Sequence, residues 1–282
     1  MDRIGFMQGR LVDLVDGKIQ AFPWDQWQLE FPRAQALGLK LMEWTLDDDR
    51  MEDNPFTTAQ GQAEIRALME QHQVRVSSLT GDCFMQKPFW KTGEPERQQL
   101  LRKLELVVRS ASLLGARFVV VPLVDNGRLE SDGQREILVA ELLRRADQLR
   151  RAGVQIVFET DLAPSAYAEF LRLLPGDVFN VNYDIGNSAS LGFDSAEEFS
   201  AYGHRIVNVH VKDRILGGTT VPLGTGAADL PKVFMGLAHL GYSGNYILQT
   251  ARAGDGDHAG ALGNYIALTR SLLGRGNGSG SH

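Results

Sequence analysis

The sequence predicts a (β/α)8 barrel that forms a single α/β domain over residues 1–274. Eight short apolar runs alternate with eight segments of helical periodicity. The apolar runs are continuous, which is typical of parallel strands covered on both faces. Glycines recur where a helix gives way to a strand, at Gly38, Gly115, Gly153 and Gly241, as expected where the turn needs a positive φ. A doubly wound open sheet is the rival architecture, but eight units without a break in composition favour closure.

The first four units are identified from their apolar patterns. The first strand ends in a glycine, and the first helix has apolar residues at helical spacing from Trp24 to Leu37. The third helix has one broad apolar face between Leu100 and Leu114. The predicted strands are 3–9, 39–45, 74–79 and 118–123, and the predicted helices are 24–38, 57–72, 94–115 and 134–153.

The second four units repeat the same alternation. The predicted strands are 154–159, 178–184, 206–212 and 246–249, and the predicted helices are 165–174, 195–202, 230–240 and 258–273. The glycine- and serine-rich tail at 275–282 is expected to be disordered and to be a remnant of expression, so it is left out of the domain.

Bulk composition excludes several classes of function. With 282 residues, 43% hydrophobic and 23% charged, the chain suits one or two globular domains. No apolar run reaches the ~18 residues of a membrane span, and no signal-like segment begins the chain. The single cysteine, Cys83, excludes an internal disulfide and fits a cytoplasmic protein. A net charge of −6 argues against nucleic-acid binding but leaves room for an anionic small molecule.

Four apolar runs of the second half end in a polar side chain. These residues are Glu159, Asp184, His210 and Gln249. Because the carboxyl ends of the strands of a closed barrel meet at one mouth, we expect these side chains to face one another. Carboxylate and amide oxygens with one imidazole suit a divalent cation, with Mn²⁺, Mg²⁺ or Co²⁺ fitting better than a structural zinc site.

Topology separates the six histidines. His72, His204 and His239 belong to the N-terminal end of the barrel, and His282 lies in the tail. That leaves two histidines that can reach the mouth. His210 is expected to be a metal ligand. The other, His258, is expected to contact substrate, the alternative being a solvated residue in the first turn of the last helix.

Each of these assignments has an alternative. Glu159 and Asp184 could pair with nearby cations instead of a metal, and Gln249 could act only through hydrogen bonds. The charged residues after the last two strands could bind substrate oxygens or be solvated loop charges: Lys212, Asp213, Arg214 and Arg252. Residues at earlier strand ends are expected to line the pocket: Gln8, Glu43, Trp44, Asp82 and Cys83. Three tryptophans expected to be exposed could serve a lid or a homo-oligomer interface: Trp24, Trp27 and Trp90.

Several motifs resemble those of the xylose-isomerase-like barrel superfamily. They are Phe158-Glu159-Thr160-Asp161, Tyr183-Asp184-Ile185-Gly186-Asn187, His210-Val211-Lys212-Asp213-Arg214 and Pro222-Leu223-Gly224-Thr225-Gly226. The superfamily includes sugar and sugar-phosphate isomerases, ketose 3-epimerases, inosose dehydratases and DNA-repair endonucleases. The resemblance implies metal ligands at Glu159, Asp184, His210 and Gln249, commonly for Mn²⁺, with Zn²⁺ a further alternative, and a small sugar or sugar phosphate as substrate.

The sequence departs from the superfamily pattern at two positions. Asn187 stands where the family usually has a histidine, and Gln249 stands where it usually has a glutamate. The extra histidines of the DNA-repair branch are absent from the predicted strands 74–79 and 118–123 and the loops after them, which argues against nuclease activity. Asn187 is expected to contact substrate instead.

The missing glutamate bears on the expected reaction. In related sugar enzymes a metal makes the carbon next to a carbonyl acidic, and an enediolate forms. Epimerisation returns the proton to the opposite face and needs two bases, whereas isomerisation needs only one. With Glu159 as the remaining glutamate, the sequence favours isomerisation, with Gln249 beside it in the catalytic site, unless Asp82 or Asp213 supplies a second base. An inosose-type dehydratase and an inactive sugar-binding barrel are the alternatives.

Overall fold

The computed structural model describes residues 3–278, and the fold is the closed barrel that the sequence predicts. Eight parallel strands form it: β1 (Ile4–Met7), β2 (Leu41–Thr45), β3 (Arg75–Thr80), β4 (Phe118–Leu123), β5 (Gln155–Thr160), β6 (Phe179–Asp184), β7 (Ile206–Val211) and β10 (Asn245–Leu248). The order around the barrel is β1-β10-β7-β6-β5-β4-β3-β2. A two-stranded antiparallel hairpin, β8 (Asp213–Arg214) and β9 (Thr220–Val221), follows β7.

Ten α-helices are present among the described residues, and eight of them correspond to predicted helices. The first seven of these are α1 (Glu30–Ala36), α2 (Ala59–His72), α4 (Glu96–Leu114), α5 (Asp132–Ala152), α6 (Pro164–Arg172), α8 (Ser195–Tyr202) and α9 (Leu230–His239). The last helix, α10 (His258–Gly278), continues five residues past its predicted end at Leu273. The four final residues of the predicted tail, 279–282, lie outside the described residues.

Two helices were not predicted, α3 (Asp82–Gln86) and α7 (Ile185–Leu191). Each begins where a barrel strand ends. The Asp184 side chain accepts a hydrogen bond from the Asn187 backbone N–H at 2.8 Å and so caps the first turn of α7. A segment rich in serine and asparagine has weak helical propensity, so this contact supports a helix that periodicity alone does not indicate.

The main hydrophobic core lies between the strands and the surrounding helices. Side-chain alternation along β5 shows the arrangement: Phe158 packs on Phe170 and Phe179 outside the barrel, with ring centroids 5.3 and 6.4 Å apart. Val157, one residue earlier, joins Phe118 and Val120 in a separate apolar cluster. Because successive side chains of a strand point to opposite faces, Glu159 shares the face of Val157.

Strand register brings the predicted ligands to one level of the barrel. Asp184 pairs with His210, and Ile247, two residues before Gln249, also pairs with His210. No helix among residues 3–278 is long and apolar enough to cross a membrane. The expectation that three tryptophans are exposed is wrong, because Trp27 and Trp90 are only 3% and 1% exposed and Trp24 is partly buried against the core.

Candidate active site

Three side chains converge at the C-terminal mouth, one from each of three neighbouring strands. Glu159 lies on β5, Asp184 ends β6 and His210 lies on β7. One donor atom from each residue lies within 4.8 Å of those of the other two. His210 Nδ1 is 3.2 Å from Glu159 Oε2 and 3.8 Å from Asp184 Oδ2. Two carboxylates and an imidazole around one point form a group that can hold a divalent metal ion.

Glu43, on β2, orients the imidazole from across the barrel. His210 Nε2 donates to Glu43 Oε1 at 2.6 Å, and both side chains are fully buried. With Nε2 as the donor, Nδ1 presents its lone pair toward Glu159 and Asp184. A carboxylate in this position fixes the tautomer of a metal-binding histidine and raises its basicity. From the sequence, Glu43 is expected only to line the pocket; the signal for a larger role is a glutamate inside the apolar run of β2.

Two asparagines complete a buried polar layer around this pair. Asn208 Nδ2 donates to Glu43 Oε2 at 3.0 Å and to Asn182 Oδ1 at 2.9 Å. Asn182 Nδ2 in turn lies 3.0 Å from His210 Nδ1 and 3.2 Å from Glu159 Oε2. Sequence analysis did not assign a role to either asparagine. Their amides hold the imidazole and the carboxylates in register without adding charge, which a densely charged buried site requires.

The charges of the cluster favour a cation at its centre. Burial by itself lowers the pKa of His210, but the charge of Glu43 and the hydrogen bonds to Asp184 and Glu159 outweigh burial and raise that pKa well above its ordinary value. For Asp184, burial raises the pKa, but the Lys212 ammonium and His210 lower it to about 2. The carboxylates therefore stabilise positive charge between them, either as a proton on His210 or as a divalent ion.

Gln249 directly follows β10 and faces the same mouth. Its Oε1 is 3.4 Å from Lys212 Nζ, and that Nζ is 3.3 Å from Asp184 Oδ2. Its Nε2 donates to Gln20 Oε1 at 2.8 Å. The amide oxygen thus points to the side of Asp184, whereas the nitrogen contacts the loop after β1. Metal ligation by Gln249 stays a prediction.

Asn187 lies on α7 beside the cluster. Its Nδ2 donates to Glu159 Oε1, and its Oδ1 accepts from Arg214 Nη1 at 2.8 Å. Arg214 is further tied to the Gly218 carbonyl at 2.9 Å from Nε. Both ends of the Asn187 amide are therefore used in positioning Glu159 and Arg214, and a role in substrate binding stays a prediction for Asn187 and Arg214.

Two residues predicted to contact substrate do not direct their functional groups to the mouth. Asp213 is fully buried, and its carboxylate accepts backbone hydrogen bonds from Gly224 and Gly226, both at 2.9 Å, and from Ala228 at 3.1 Å. Trp44 is also fully buried, packed outside the barrel against aromatic rings. Strand alternation is the reason: Glu43 takes the inward face of β2, so Trp44 takes the outward one.

The remaining predicted contacts border the mouth on the β1 and β3 side. Asp82 begins α3, where its Oδ2 accepts from Gln20 Nε2 at 2.6 Å. Arg252 donates to the Val12 carbonyl. His258 is 9% exposed, and burial followed by the Arg252 charge lowers its pKa. Substrate contact by Arg252 and His258 stays a prediction.

Comparison with known proteins bears on this arrangement. The family model described as "Xylose isomerase-like TIM barrel" matches residues 31–268. The chain belongs to this family. It is 26% identical over 232 residues to L-ribulose-5-phosphate 3-epimerase UlaE of Escherichia fergusonii, covering 79% of this chain and 81% of the relative.

Solved structures share the fold of this family member at low sequence identity. D-psicose 3-epimerase of Clostridium cellulolyticum H10, solved with D-tagatose, superposes with a TM-score of 0.72 at 13% identity, covering 96% of this chain and 99% of that one. IOLI protein, solved with a zinc atom, superposes with a TM-score of 0.73 at 16% identity, covering 96% and 98%. At these identities the structures support the fold.

Proposed function

We propose that the protein is a divalent-metal-dependent isomerase or epimerase of a sugar or sugar phosphate, acting through an enediolate. The observation that carries this proposal is the convergence of Glu159, Asp184 and His210, with donor atoms within 4.8 Å of one another at the barrel mouth. The similarity to a family member named L-ribulose-5-phosphate 3-epimerase supports the same class of reaction. A small-molecule substrate and a cytoplasmic location complete the proposal.

The residues present fit a metal ion. Glu159 and Asp184 would supply oxygen ligands, His210 would supply Nδ1, and Gln249 would add its amide oxygen. The oxygen-rich set favours Mn²⁺, with Mg²⁺, Co²⁺ or Zn²⁺ as alternatives. When bound, the ion supplies Lewis acidity that makes the carbon next to the substrate carbonyl more acidic.

The protein side chains handle the proton. Glu159 is the base in the proposal, because it is 7% exposed and is held at both oxygens by the amides of Asn182 and Asn187. A carboxylate fixed in this way keeps one orientation toward the reacting carbon. Lys212 lies between Asp184 and Gln249 and can hold a substrate hydroxyl or carbonyl oxygen.

Between the two reactions we propose epimerisation. The curated relative named above is a 3-epimerase at 26% identity, and this similarity outweighs the single-base argument that favours isomerisation. With Gln249 in place of a glutamate, another group has to return the proton to the opposite face.

The experiment is to incubate the protein with ketoses and ketose 5-phosphates, including L-ribulose 5-phosphate and D-psicose, after loading with Mn²⁺. Products are separated chromatographically, and deuterium from solvent is located by NMR. We expect epimer formation with deuterium at the inverted carbon. An aldose product would indicate isomerisation instead, and an unsaturated or dehydrated product would indicate a dehydratase. Absence of turnover and of exchange across the panel and across metals would overturn the proposal.

A further inference from the structure

Inversion of a carbon centre requires one group that removes a proton and another that delivers a proton to the opposite face. Glu159 supplies the first role in the proposed function. Gln249 cannot supply the second, because a side-chain amide neither takes up nor releases a proton near neutral pH. The proton donor for the other face therefore has to come from elsewhere in the mouth.

Most carboxylates near the mouth are committed to other partners. Asp184 is paired with Lys212 at 3.3 Å, and Glu43 is bound to His210 at 2.6 Å. Asp213 accepts three backbone N–H groups of its own loop. Asp161, just after β5, is paired with the Arg128 guanidinium. None of these carboxyl groups is available to exchange a proton with substrate.

Asp82 differs from Asp184, Glu43 and Asp161 in having no charged partner, and from Asp213 in accepting two side-chain hydrogen bonds instead of three backbone ones. It accepts hydrogen bonds from neutral groups, the Gln20 amide at 2.6 Å and the Thr80 hydroxyl at 3.1 Å. Among the side chains that the structure describes, those of residues 3–274, no lysine, arginine or histidine forms an ion pair with it. Its side chain is 7% exposed. A buried carboxyl group without a counterion favours its protonated form.

Asp82 lies on another side of the mouth from the three candidate metal ligands. It follows β3, which lies four places from β7 in the eight-stranded ring and is therefore directly across the mouth from His210. Gln20 links it to the site, because the same amide that donates to Asp82 accepts from Gln249 Nε2 at 2.8 Å. In the same ring β3 lies two places from β5, so a substrate held over Glu159, Asp184 and His210 would have Asp82 on the side away from His210 and apart from Glu159.

We propose that Asp82 is the second proton-transfer group of this site, acting on the substrate face opposite to Glu159. This inference rests on the proposed epimerase function. Burial is the main cause that raises the pKa of Asp82, which reaches about 6, so a usable fraction of the group carries a proton near neutrality.

The proposed step removes one proton from the carbon on one face and delivers one proton on the other. The Glu159 carboxylate takes the proton from the carbon next to the carbonyl, and the electron pair of that C–H bond forms the C=C bond of the enediolate. The carboxylic acid of Asp82 then gives its proton to the same carbon from the other side, and the carbonyl forms again. Glu159 ends protonated and Asp82 ends ionised. Exchange of both groups with water restores the starting states, and the reverse reaction uses them in the opposite order.

The test compares Asp82→Asn with the wild-type enzyme in D₂O, on the ketose that turns over in the panel above. We expect epimer formation to fall by ~10²-fold or more, the usual contribution of one acid–base group. Deuterium should still enter the reacting carbon of the unconverted substrate, since Glu159 can remove and return a proton on one face. Asp48→Asn is the matched control, because Asp48 pairs with Lys87 and Lys103 at 2.8 Å outside the metal cluster; both activities should stay at wild-type levels.

Each outcome has a distinct meaning. Wild-type epimerisation by Asp82→Asn overturns this inference and leaves the proposed function standing. Parallel loss of epimerisation and exchange, in a variant that melts and binds Mn²⁺ like the wild type, also overturns it, because Asp82 would then serve both faces. If the wild type neither epimerises any ketose nor incorporates deuterium into it, the proposed function is wrong, and this inference is wrong with it.

Discussion

The N-terminal end of the barrel holds a cavity of about 720 Å³, whereas a cavity of about 20 Å³, room for a single water molecule, lies behind Glu159 and Asp184 against Tyr167 and Tyr202 of the surrounding helices. The larger cavity is lined by Arg75, Arg117 and His204 but by no carboxylate. The C-terminal mouth instead gathers carboxylates around one imidazole.

The contrast shows that the large cavity lies at the opposite end from the candidate metal ligands, and that the two ends differ in the sign of their charge. Helices α2, α4 and α9 end toward the N-terminal face, so the partial negative charge of their last carbonyls favours arginine and histidine there. Strand ends at the opposite face bring acidic side chains together, and their mutual repulsion requires a cation. Substitutions at the mouth should therefore affect metal binding and turnover, whereas matched substitutions elsewhere should not.

The largest effect is expected from Glu159→Gln. Loss of the base, and of the negative charge of one metal ligand, should lower turnover by about 10⁴-fold, the upper range for one acid–base group. The measurement is the steady-state rate with saturating Mn²⁺. Glu169→Gln, an exposed glutamate of α6, is the control and should behave like the wild type. A Glu159→Gln variant with more than a tenth of normal activity contradicts the assignment.

Next, two histidines from opposite ends should respond differently to metal. Mn²⁺ at 100 times its Kd should stabilise the wild type by about 2.7 kcal/mol, visible as a rise in Tm. His210→Ala should abolish that rise, and His204→Ala should keep it, because His204 lines the N-terminal cavity. If both variants lose the rise in Tm, or if both keep it, the assignment of His210 as the metal-binding histidine is contradicted.

Glu43→Gln should weaken metal binding without removing a ligand. Removal of the carboxylate that orients a metal-binding histidine usually lowers affinity by about 10–100-fold. Titration calorimetry with Mn²⁺ measures this Kd. Glu30→Gln is the control: Glu30 is fully buried too, but it accepts backbone bonds from Gly9 at 2.8 Å and Leu11 at 3.1 Å, so its loss should alter stability and leave Kd unchanged.

A smaller effect is expected from Asp213→Asn. An amide has one acceptor oxygen for three backbone donors, so the free energy of unfolding should fall by about 1.5–3 kcal/mol. Urea denaturation measures the fall, and hydrogen exchange should accelerate at the Gly224, Gly226 and Ala228 amides. Loss of substrate affinity with no change in these amides would restore the sequence-based prediction that Asp213 contacts substrate.

The smallest effect is expected from Arg75→Ala at the N-terminal end. Arg75 is exposed and lines the large cavity, so turnover should be unchanged and stability should shift by no more than about 0.5 kcal/mol. Lys212→Ala is the comparison at the mouth, where loss of the ammonium next to Asp184 should raise KM. A strong effect of Arg75→Ala on turnover would show that the two ends are functionally coupled.

The sequence by itself determined the fold and the positions of the candidate ligands. A polar residue that closes an apolar run is local information, and closure of a parallel barrel carries all such residues to one mouth. Glu159, Asp184 and His210 were identified in this way and lie together in the structure. Helices with broad apolar faces, such as α4, were predicted for the same reason, because their periodicity is contained within one segment.

Only the tertiary structure decided which side chains meet across the barrel. Glu43 and His210 are 167 residues apart, so their pairing depends on closure and on register, which no local pattern contains. Whether Glu43 points into the barrel and Trp44 out of it depends on the register of β2, because a shift of one residue would exchange their faces. The sequence alone locates the ends of this strand only to within a residue or two. The engagement of Asp213 by its own loop likewise follows from three backbone groups that only the folded hairpin region brings together.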